Sequence, residues 1–532
     1  MRRKLLLQCI LVVITIFALT SLAGSAPLTP ELKKGTVLPL RSALARGIQK
    51  NLDLRVIELD IPINDQNVII NDAEFDPVLK ASISSLEEKA PTSLTSVIED
   101  VDIFRTTGAD VGLSKKFRFG LESEIAFETS RSQNNLPLDQ DPLRPQYRDA
   151  LILDFTQPLL RDFGTKINTA NLRISQNAVR QAAYGYMARA QGIGEEIEIA
   201  YYDLARALEI LRYHIESREL ARELLEGNKK KFDAGVVPVT EVQEAETAVA
   251  SRDEQVIFAR QQVEIISNRL KDLLEIRPGD PLYEEIFVTE PVGEIEQDFP
   301  DLGKALGIAL KKRPDLQQQR VELANREIRI EYYANQKLPR IDLESTLGVN
   351  GLSGGIRSAS FAGAPASTSY VGNYDDALSG MASGDGYEWY IGLRFSYPLG
   401  NRAAQARHRR ATQEKRQSIY LLKRLEGTAE TQVKNALVSV QRSIERVRVT
   451  ERFEKLAQTT LTQEMERLKK GLSDTFRILD FQDNLIESRI RKVTALGDFN
   501  KGLANLYRAT GANLERFNIF VQVNTEEISH NE

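Results

Sequence analysis

The chain contains 532 residues, of which 75 are Asp or Glu and 70 are Lys or Arg, and its formal net charge at pH 7 is −5. This balance argues against nucleic-acid binding as the main function, because neutralising phosphates requires a basic face. The only cysteine is Cys9 and only three histidines occur, so disulfides, thiolate metal sites and His-based catalysis have few or no candidate residues.

The N-terminal residues have the pattern of an export signal. Basic residues at 2–4 precede an apolar run over residues 5–22, and small residues follow at 23–26. We predict that residues 1–25 are a signal peptide that is cleaved after Ser25. The alternative is an uncleaved membrane anchor, because the apolar run approaches the ~20 residues that span a bilayer.

The rest of the chain carries an internal duplication. Residues 40–54 match residues 302–316. Three further pairs of equivalent positions follow in the same order: Pro77 and Pro339, Pro158 and Pro398, Gly235 and Gly471. The separation between equivalent positions falls from 262 to 240 residues between the first two of these pairs, so the first copy contains about one additional hairpin.

This duplication predicts two repeats, residues 26–276 and residues 301–514, each with a short helix, strands and a long helical hairpin. Residues 277–300 contain four prolines and are predicted to link the repeats. Residues 515–532 are predicted to form a C-terminal tail.

Four segments of the first repeat are predicted strands. Residues 75–85 and 147–155 form the outer pair, and residues 111–115 and 119–129, joined near Gly120, form the additional hairpin. A pair of added strands leaves the flanking helices on the same side of a membrane. Whether this pair joins a barrel wall or folds outside it stays open at this stage.

Two proline-free stretches, from Thr165 to Phe232 and between Gly400 and Gly471, predict very long helices. Apolar residues recur in both at steps of three and four, the pattern of helices packed along their length. They are Tyr201, Leu204, Leu208 and Leu211 in the first stretch, and Val433, Leu437, Val440, Ile444 and Val447 in the second. Each helix would be ~100 Å long, which suits a coiled-coil rod or a tunnel built from helical hairpins.

Residues 387–397 alternate between apolar and polar side chains, with aromatic residues near both ends: Tyr387, Trp389, Phe395 and Tyr397. This pattern fits a barrel wall between lipid and water, with aromatic girdles at the two interfaces. Residues 340–347 alternate similarly and are the predicted partner strand. The Gly-, Ser- and Ala-rich residues 350–386 predict a long exposed loop. A soluble, half-buried sheet is the alternative interpretation.

One catalytic motif occurs, because residues 351–355 (GLSGG) match a nucleophile elbow around Ser353. The elbow requires a strand before the serine and a helix after it, whereas a loop is predicted here. His408 lies in the basic cluster 407–410 and is interpreted as a surface residue. We expect no enzymatic activity, no cofactor and no metal site.

Four segments together resemble the TolC family of outer-membrane efflux proteins. They are residues 157–164 (QPLLRDFG), 231–245 (KFDAGVVPVTEVQEA), 468–473 (LKKGLS) and 478–480 (ILD). The resemblance covers about Leu40 to Leu514 and implies a mainly α fold with a membrane β-barrel part. In such a homotrimer, a small outer-membrane barrel continues into a periplasmic α-helical tunnel. The additional strand pair departs from the family pattern, as does Pro62, which is expected to interrupt the first short helix.

Gly235 and Gly471 lie at the two predicted turns between long helices, where glycine permits a left-handed backbone. In the family these turns engage a periplasmic adaptor. The resemblance therefore implies an adaptor-docking role for Gly235, Val236, Gly471, Leu472 and Ser473. The alternative is that both glycines only end a helix.

Charged residues just beyond these turns are candidates for a periplasmic entrance gate. Glu241 and Glu244 are three residues apart and can share a helix face. Arg477 occupies the position equivalent to Glu241, which predicts an ion pair between the two hairpins. The resemblance implies a gate aspartate at Asp480, and three copies of it would form a ring that favours cations. A solvated helix face is the alternative interpretation.

The leading functional interpretation is a passive outer-membrane duct of a tripartite efflux or type I secretion system. Its predicted partners are two further copies of the chain, a periplasmic adaptor, an inner-membrane pump and outer-membrane lipid, but no nucleic acid. A periplasm-spanning coiled-coil rod without a pore and an exported enzyme are the alternatives. Drug, metal and protein cargo all stay open, because the pump and adaptor largely select the cargo.

Overall fold

A computed structural model describes residues 35–91, 101–135, 143–290, 299–356 and 370–520. The predicted signal peptide, residues 1–25, lies outside the described residues. So do residues 521–532, which form most of the predicted C-terminal tail.

The described residues contain one large sheet and one short pair of strands. The strands are β1 (Gly35–Leu38), β2 (Val78–Pro91), β3 (Val101–Lys116), β4 (Glu122–Asn134), β5 (Leu143–Pro158), β6 (Ile286–Thr289), β7 (Arg340–Ile356) and β8 (Gly386–Ser396). The large sheet is antiparallel and has the order β2-β3-β4-β5-β7-β8. The predicted additional hairpin is β3–β4, and it joins this sheet between β2 and β5.

Helices make up most of the described chain. They are α1 (Leu40–Lys50), α2 (Leu52–Glu58), α3 (Asp60–Asp72), α4 (Thr165–Asn168), α5 (Ala170–Asp233), α6 (Val239–Leu273), α7 (Leu302–Lys312), α8 (Pro314–Asn335), α9 (Tyr374–Ser383), α10 (Arg402–Lys469) and α11 (Thr475–Thr510). Within the described ranges, no helix combines the length and the apolar character that crossing a bilayer requires.

The predicted first short helix is divided at two places. Asn51 ends α1 and caps α2, where its Oδ1 accepts a hydrogen bond from the Leu54 N–H at 3.2 Å. The second break falls at Leu59, between α2 and α3. The expectation that Pro62 interrupts a helix is wrong. Pro62 lies in the first turn of α3, where a backbone N–H has no acceptor within the helix and proline is tolerated.

The predicted exposed loop over residues 350–386 is partly regular structure. β7 continues to Ile356, and α9 packs against β7 so closely that a Cβ on Gly351 would lie 1.9 Å from the carbonyl oxygen of Ala377. Ser353 is buried within β7, and its hydroxyl donates to the Asn373 carbonyl at 2.5 Å. The strand therefore continues past this serine, and no strand-turn-helix elbow is formed around it.

Both predicted long helices are confirmed, with 64 residues in α5 and 68 in α10. Each turns back into a shorter antiparallel helix, so that α5 and α6 form hairpin 1 while α10 and α11 form hairpin 2. The predicted apolar stripes face the packed sides. Tyr201, Leu204 and Leu211 are buried in hairpin 1, as are Val433, Leu437, Val440 and Val447 in hairpin 2, while Leu208 and Ile444 pack partly buried against them.

Part of the predicted linker between the repeats belongs to the core of hairpin 1. β6 pairs in parallel with β1, in a register that places Gly35 opposite Ile286. Phe287 is fully buried against α5 and α6 residues. From the predicted tail, Phe517 packs against the same core. Hairpin 1 is thus completed by segments from both ends of the described chain and from its middle.

Candidate functional site

The turn of hairpin 1 is a compact helix ending. Gly235 has a φ of +72° and its N–H donates to the Phe232 carbonyl at 2.8 Å. The N–H of Val236 donates to the Lys231 carbonyl at 2.8 Å, and the two bonds together close the last turn of α5 as in a Schellman motif. The Val236 side chain is 71% exposed. An aliphatic group therefore projects into solvent at this tip.

The turn of hairpin 2 has the same backbone geometry. Gly471 has a φ of +70°, and its N–H donates to the Leu468 carbonyl at 3.0 Å. The N–H of Leu472 donates to the Arg467 carbonyl at 2.9 Å. Leu472 is 63% exposed, so the second tip presents an aliphatic side chain at the position equivalent to Val236.

The two turns lead into their second helices differently. Asp474 caps α11, because its Oδ1 accepts a hydrogen bond from the Arg477 N–H at 2.9 Å. Pro238 precedes α6 and offers no side-chain acceptor. The second turn is therefore held by a side-chain cap that the first turn lacks.

Glu464 organises the second turn from inside hairpin 2. It is only 4% exposed, and its Oε1 accepts a hydrogen bond from the Ser473 hydroxyl at 2.6 Å. Arg477 lies on the same oxygen, with its Nε 3.4 Å away, and Arg467 approaches the other oxygen at 3.7 Å. One buried carboxylate thus ties the turn residue Ser473 to an arginine on each helix of the hairpin.

Arg477 does not form the predicted ion pair with Glu241. Glu241 instead accepts a hydrogen bond from the Thr475 hydroxyl at 2.9 Å. That hydroxyl accepts in turn from the side-chain amide of Asn228 at 2.8 Å, and both Thr475 and Asn228 are buried. At this point the two tips are therefore joined by two neutral donors and one carboxylate.

The remaining gate candidates face solvent. Asp480 is exposed and receives one hydrogen bond, at 3.4 Å, from the Asn484 amide one turn further along α11. Glu244 is also exposed, whereas Glu241 is half-buried toward Thr475. Glu241 and Glu244 therefore differ in exposure although they are three residues apart. Asp480 and Glu244 both keep an exposed carboxylate just beyond a turn.

Arg252, which is not among the predicted site residues, links the two hairpins. It is 3% exposed, and it donates to the Ser217 carbonyl at 3.1 Å, to Gln482 Oε1 at 2.8 Å and to Asp483 Oδ1 at 2.9 Å. One guanidinium therefore links α5, α6 and α11. A sequence signal exists, since Arg252 lies midway between the buried Ala245 and Ala259 at the seven-residue spacing of the apolar seam.

Further ion pairs connect the hairpins away from the turns. Arg489 on α11 donates to Glu216 on α5 at 3.0 Å, and Lys501 on α11 donates to Asp203 on α5 at 3.0 Å. Within hairpin 2, a hydrogen bond to Glu454 raises the pKa of the Lys492 ammonium. Polar contacts between the hairpins therefore extend far along α5 from the tips.

The aromatic residues predicted to form a membrane girdle lie on or next to β8. Tyr387, Trp389 and Phe395 occupy one face of the strand at alternate positions, and Tyr397 follows the end of the strand. Trp389 is 68% exposed. The described chain thus presents large aromatic surfaces to its surroundings on this face of the sheet.

Known proteins share both the sequence pattern and the architecture. The family model described as outer membrane efflux protein matches residues 124–274 and 305–512. Nodulation protein T of Rhizobium leguminosarum bv. trifolii is 27% identical over 361 residues, which cover 66% of this chain and 70% of that protein.

Solved outer-membrane proteins have the same fold. The OprN channel aligns with a TM-score of 0.62 at 18% identity, over 89% of this chain and 90% of that chain. The CmeC channel of Campylobacter jejuni aligns with a TM-score of 0.60 at 17% identity, over 92% and 88%. The VceC protein of Vibrio cholerae aligns with a TM-score of 0.59 at 15% identity, over 89% and 96%.

Proposed function

The chain belongs to the outer membrane efflux protein family, and from that premise we propose that three copies assemble into one export duct entered at the two hairpin tips. Members of this family are transport channels of the outer membrane with a long periplasmic part, and the family is not one of enzymes. The observation that carries the proposal is that the sheet and the hairpin tips lie at opposite ends of the long helices. The six-stranded sheet lies where both hairpins begin, and the two tips meet at the opposite end through Asn228 and Thr475.

Exposed apolar residues on the helices of both hairpins support a trimer. Ile257 and Phe258 on α6 and Val449 and Leu456 on α10 are all exposed although they belong to helices that pack lengthwise. Apolar patches of this kind mark surfaces that another protein covers. Two neighbouring copies of the chain would cover them if the hairpins of three copies stood side by side around an axis.

The two tips are the proposed docking points for a periplasmic adaptor. Both present a glycine turn of matching geometry and one exposed aliphatic side chain, Val236 in one and Leu472 in the other. Small exposed aliphatic groups on a well-hydrogen-bonded turn fit a partner that packs against the turn itself. The adaptor would connect the duct to an inner-membrane pump.

Asp480 is the proposed gate residue at the periplasmic entrance. It is exposed, lies on the second helix of hairpin 2 and is repeated three times in the trimer. Carboxylates around one axis attract cations and repel anions. Arg477 and Glu241 have a positioning role in this proposal. Arg477 pairs with Glu464, Glu241 accepts a hydrogen bond from Thr475, and these contacts set the position of the tip.

The assembly is tested by extracting the mature protein from outer membranes in mild detergent, weighing it by native mass spectrometry and recording it in planar bilayers. A trimer with cation-preferring conductance is expected, and Asp480→Ala lowers the preference, whereas Glu445→Ala, an exposed carboxylate on α10, leaves it unchanged. A soluble periplasmic monomer, or a trimer without conductance, contradicts the duct.

Docking is tested separately with Leu472→Glu, which places a charge on the tip without removing a buried contact. Export in cells is expected to fail while trimer yield stays the same. Val56→Glu, a similar change on an exposed α2 residue far from the tips in sequence, is the control. Normal export by Leu472→Glu shows that the adaptor does not bind this tip.

A further inference from the structure

The hairpin β3–β4 is an integral part of the large sheet. β3 pairs with β2 from Val101 to Ser114, and β4 pairs with β5 from Glu122 to Ser132. The pairing on both sides is continuous, without a register shift. The hairpin is therefore hydrogen-bonded along its length within the sheet rather than folded over one of its faces.

The hairpin continues the apolar face of the sheet. In strands, opposite residues point to the same face, so cross-strand partners can be followed from one edge to the other. One row contains Ala81, Val111, Phe127, Leu151, Val349 and Tyr387, and the adjacent row contains Leu79, Leu113, Ile125, Leu153, Leu347 and Trp389. Both rows are apolar across all six strands, and they end at the exposed aromatic residues of β8.

The opposite face carries most of the charged and polar side chains at this level of the sheet. The middle row contains Lys80, Gly112, Ala126, Ile152, Gly348 and Glu388, and its two neighbours are more polar. One row contains Ser82, Asp110, Glu128, Ala150, Asn350 and Gly386, and another contains Val78, Ser114, Glu124, Asp154, Thr346 and Tyr390. Lys80 on β2 reaches Glu124 on β4 at 3.0 Å, and Thr346 donates to Asp154 at 2.5 Å. Over these rows the sheet has one apolar face and one mostly polar face, which is the pattern of a transmembrane wall between lipid and an aqueous lumen.

The turn of the hairpin is anchored where the sheet meets the helices. The Phe119 carbonyl accepts a hydrogen bond from the Gly164 N–H at 3.0 Å, just before α4. Arg118 donates to Asp72 at 2.8 Å, at the end of α3. The hairpin therefore spans the sheet from the start of the helical part outward, as β2 and β5 do.

We propose that β3–β4 forms part of the membrane wall, that each copy contributes six strands, and that β2 of one copy pairs with β8 of the next to close an 18-stranded barrel. The inference rests on the homotrimer proposed above. The free edges of β2 and β8 carry unpaired backbone groups, which lipid does not tolerate. Neighbouring strands alternate in direction, and each copy has an even number of them. β8 of one copy and β2 of the next therefore run antiparallel, like every other neighbouring pair in the sheet.

The added hairpin widens the outer-membrane section of the duct. Without β3–β4, each copy would contribute four strands and the barrel would have 12. Because barrel diameter grows roughly linearly with strand number, a barrel of 18 strands is about 1.5 times as wide. Barrels of 16–18 strands enclose a water-filled channel. The hairpin also adds Asp110, Glu124 and Glu128 to the polar face. The structure thus assigns this duct a wide, acidic outer-membrane pore that admits bulky hydrated cargo and leaves size selection to the periplasmic tunnel.

The wall is tested with spin labels on single cysteines in the trimer reconstituted into lipid vesicles. Val111→Cys and Asp110→Cys are neighbours on opposite faces of β3, and Trp389→Cys and Glu388→Cys are the matched pair on β8. The Val111 label is expected to be relaxed mainly by oxygen, which partitions into lipid. The Asp110 label is expected to be relaxed mainly by a water-soluble nickel chelate, and the β8 pair should behave in the same way. A trimer in which both β3 labels meet the nickel chelate equally overturns the 18-stranded wall but leaves the duct intact.

Closure is tested by combining Ser84→Cys in β2 with Glu388→Cys, Tyr390→Cys or Gly392→Cys in β8. Within one copy these strands are five spacings apart, ~24 Å at ~4.8 Å each, which is beyond the reach of a disulfide. Oxidation is expected to link the copies covalently for at least one of the three pairs. Cross-links confined to single copies, or none in a trimer, contradict the β2–β8 junction. A monomer in native mass spectrometry contradicts both this proposal and the trimer on which it rests.

Discussion

The tips of hairpins 1 and 2 have the same backbone and different support. Both end their first helix at a glycine with a φ near +70°, and both carry an exposed aliphatic residue immediately after it. The second tip is held from within hairpin 2 by Glu464 and the Asp474 cap. The first tip has neither, and its Asn228 and Glu241 are hydrogen-bonded to Thr475 of hairpin 2. Duplication has therefore kept the turn while the side chains around it have become unequal.

The largest effect is expected from Arg252→Met, because this buried arginine links hairpin 1 to α11. The change removes hydrogen bonds to Gln482 and Asp483 and to the Ser217 carbonyl, and it lowers the free energy of unfolding by ~2–3 kcal/mol. Thermal unfolding of the detergent-solubilised protein measures the loss. Arg442→Met, on an exposed arginine paired with Glu445, serves as the control and should cost below about 0.5 kcal/mol. Equal losses in the two variants would show that the buried contact contributes nothing beyond a surface pair.

Glu464→Leu is expected to loosen the second tip and leave the first unchanged. The change removes the acceptor of Ser473 and the partner of Arg477, at a cost of ~2 kcal/mol. Amide hydrogen exchange should become faster at residues 469–477 and stay the same at residues 231–239. Glu466→Leu, which removes only an exposed pair with Lys469, is the control. Faster exchange at both tips would mean that the second tip also supports the first through Glu464.

Thr475→Val tests the opposite dependence. The substitution keeps the shape of the buried side chain but removes the hydroxyl between Asn228 and Glu241, at a cost of ~1–2 kcal/mol. Exchange is expected to become faster at residues 228–241 of hairpin 1, although the mutation lies in hairpin 2. Thr460→Val, on an exposed threonine of α10, should change neither tip. If only hairpin 2 responds to Thr475→Val, the first tip stands without help from the second.

The smallest effects are expected where the two tips are alike. Gly235→Ala and Gly471→Ala each place a side chain on a left-handed backbone, which costs about 1 kcal/mol. No neighbouring atom lies within 4 Å of the added Cβ at either position, so the two costs should be equal. Thermal unfolding of the two variants in parallel measures them. Clearly unequal losses would show that the backbone of the turns is not equivalent in solution.

Features with a regular period could be predicted from the sequence, and contacts between separate elements could not. The steps of three and four in residues 433–447 predict α10 and its buried side, because a helix repeats its faces with that period. The sequence predicts a shorter β7 than the structure shows, because glycine and serine after residue 350 carry no alternating apolar signal although the strand continues beneath α9. Heptad spacing predicts that two helices pack together but does not determine which polar side chains meet.

The candidate site illustrates this limit. Arg477 and Glu241 occupy equivalent positions in the two repeats, which predicts an ion pair between them. In the structure Arg477 contacts Glu464, and Glu241 contacts Thr475. Arg252 and Thr475 both occupy buried positions at the spacing of an apolar seam. A polar residue at such a position requires a polar partner, because burying it alone is costly. Seam positions with polar residues would have indicated the link between the tips, but only the fold shows which of them face one another.

The parallel pair β1–β6 sets the order in which hairpin 1 can be completed. Gly35 lies opposite Ile286, about 250 residues later in the chain, and Phe287 enters the same core as the end of β1. A fragment that ends at residue 276 would contain both helices of hairpin 1 but would lack β6. Its β1 would then have an unpaired edge, and the place of Phe287 in the core would be empty. The first repeat is therefore not a self-contained folding unit, although it contains all of its long helices.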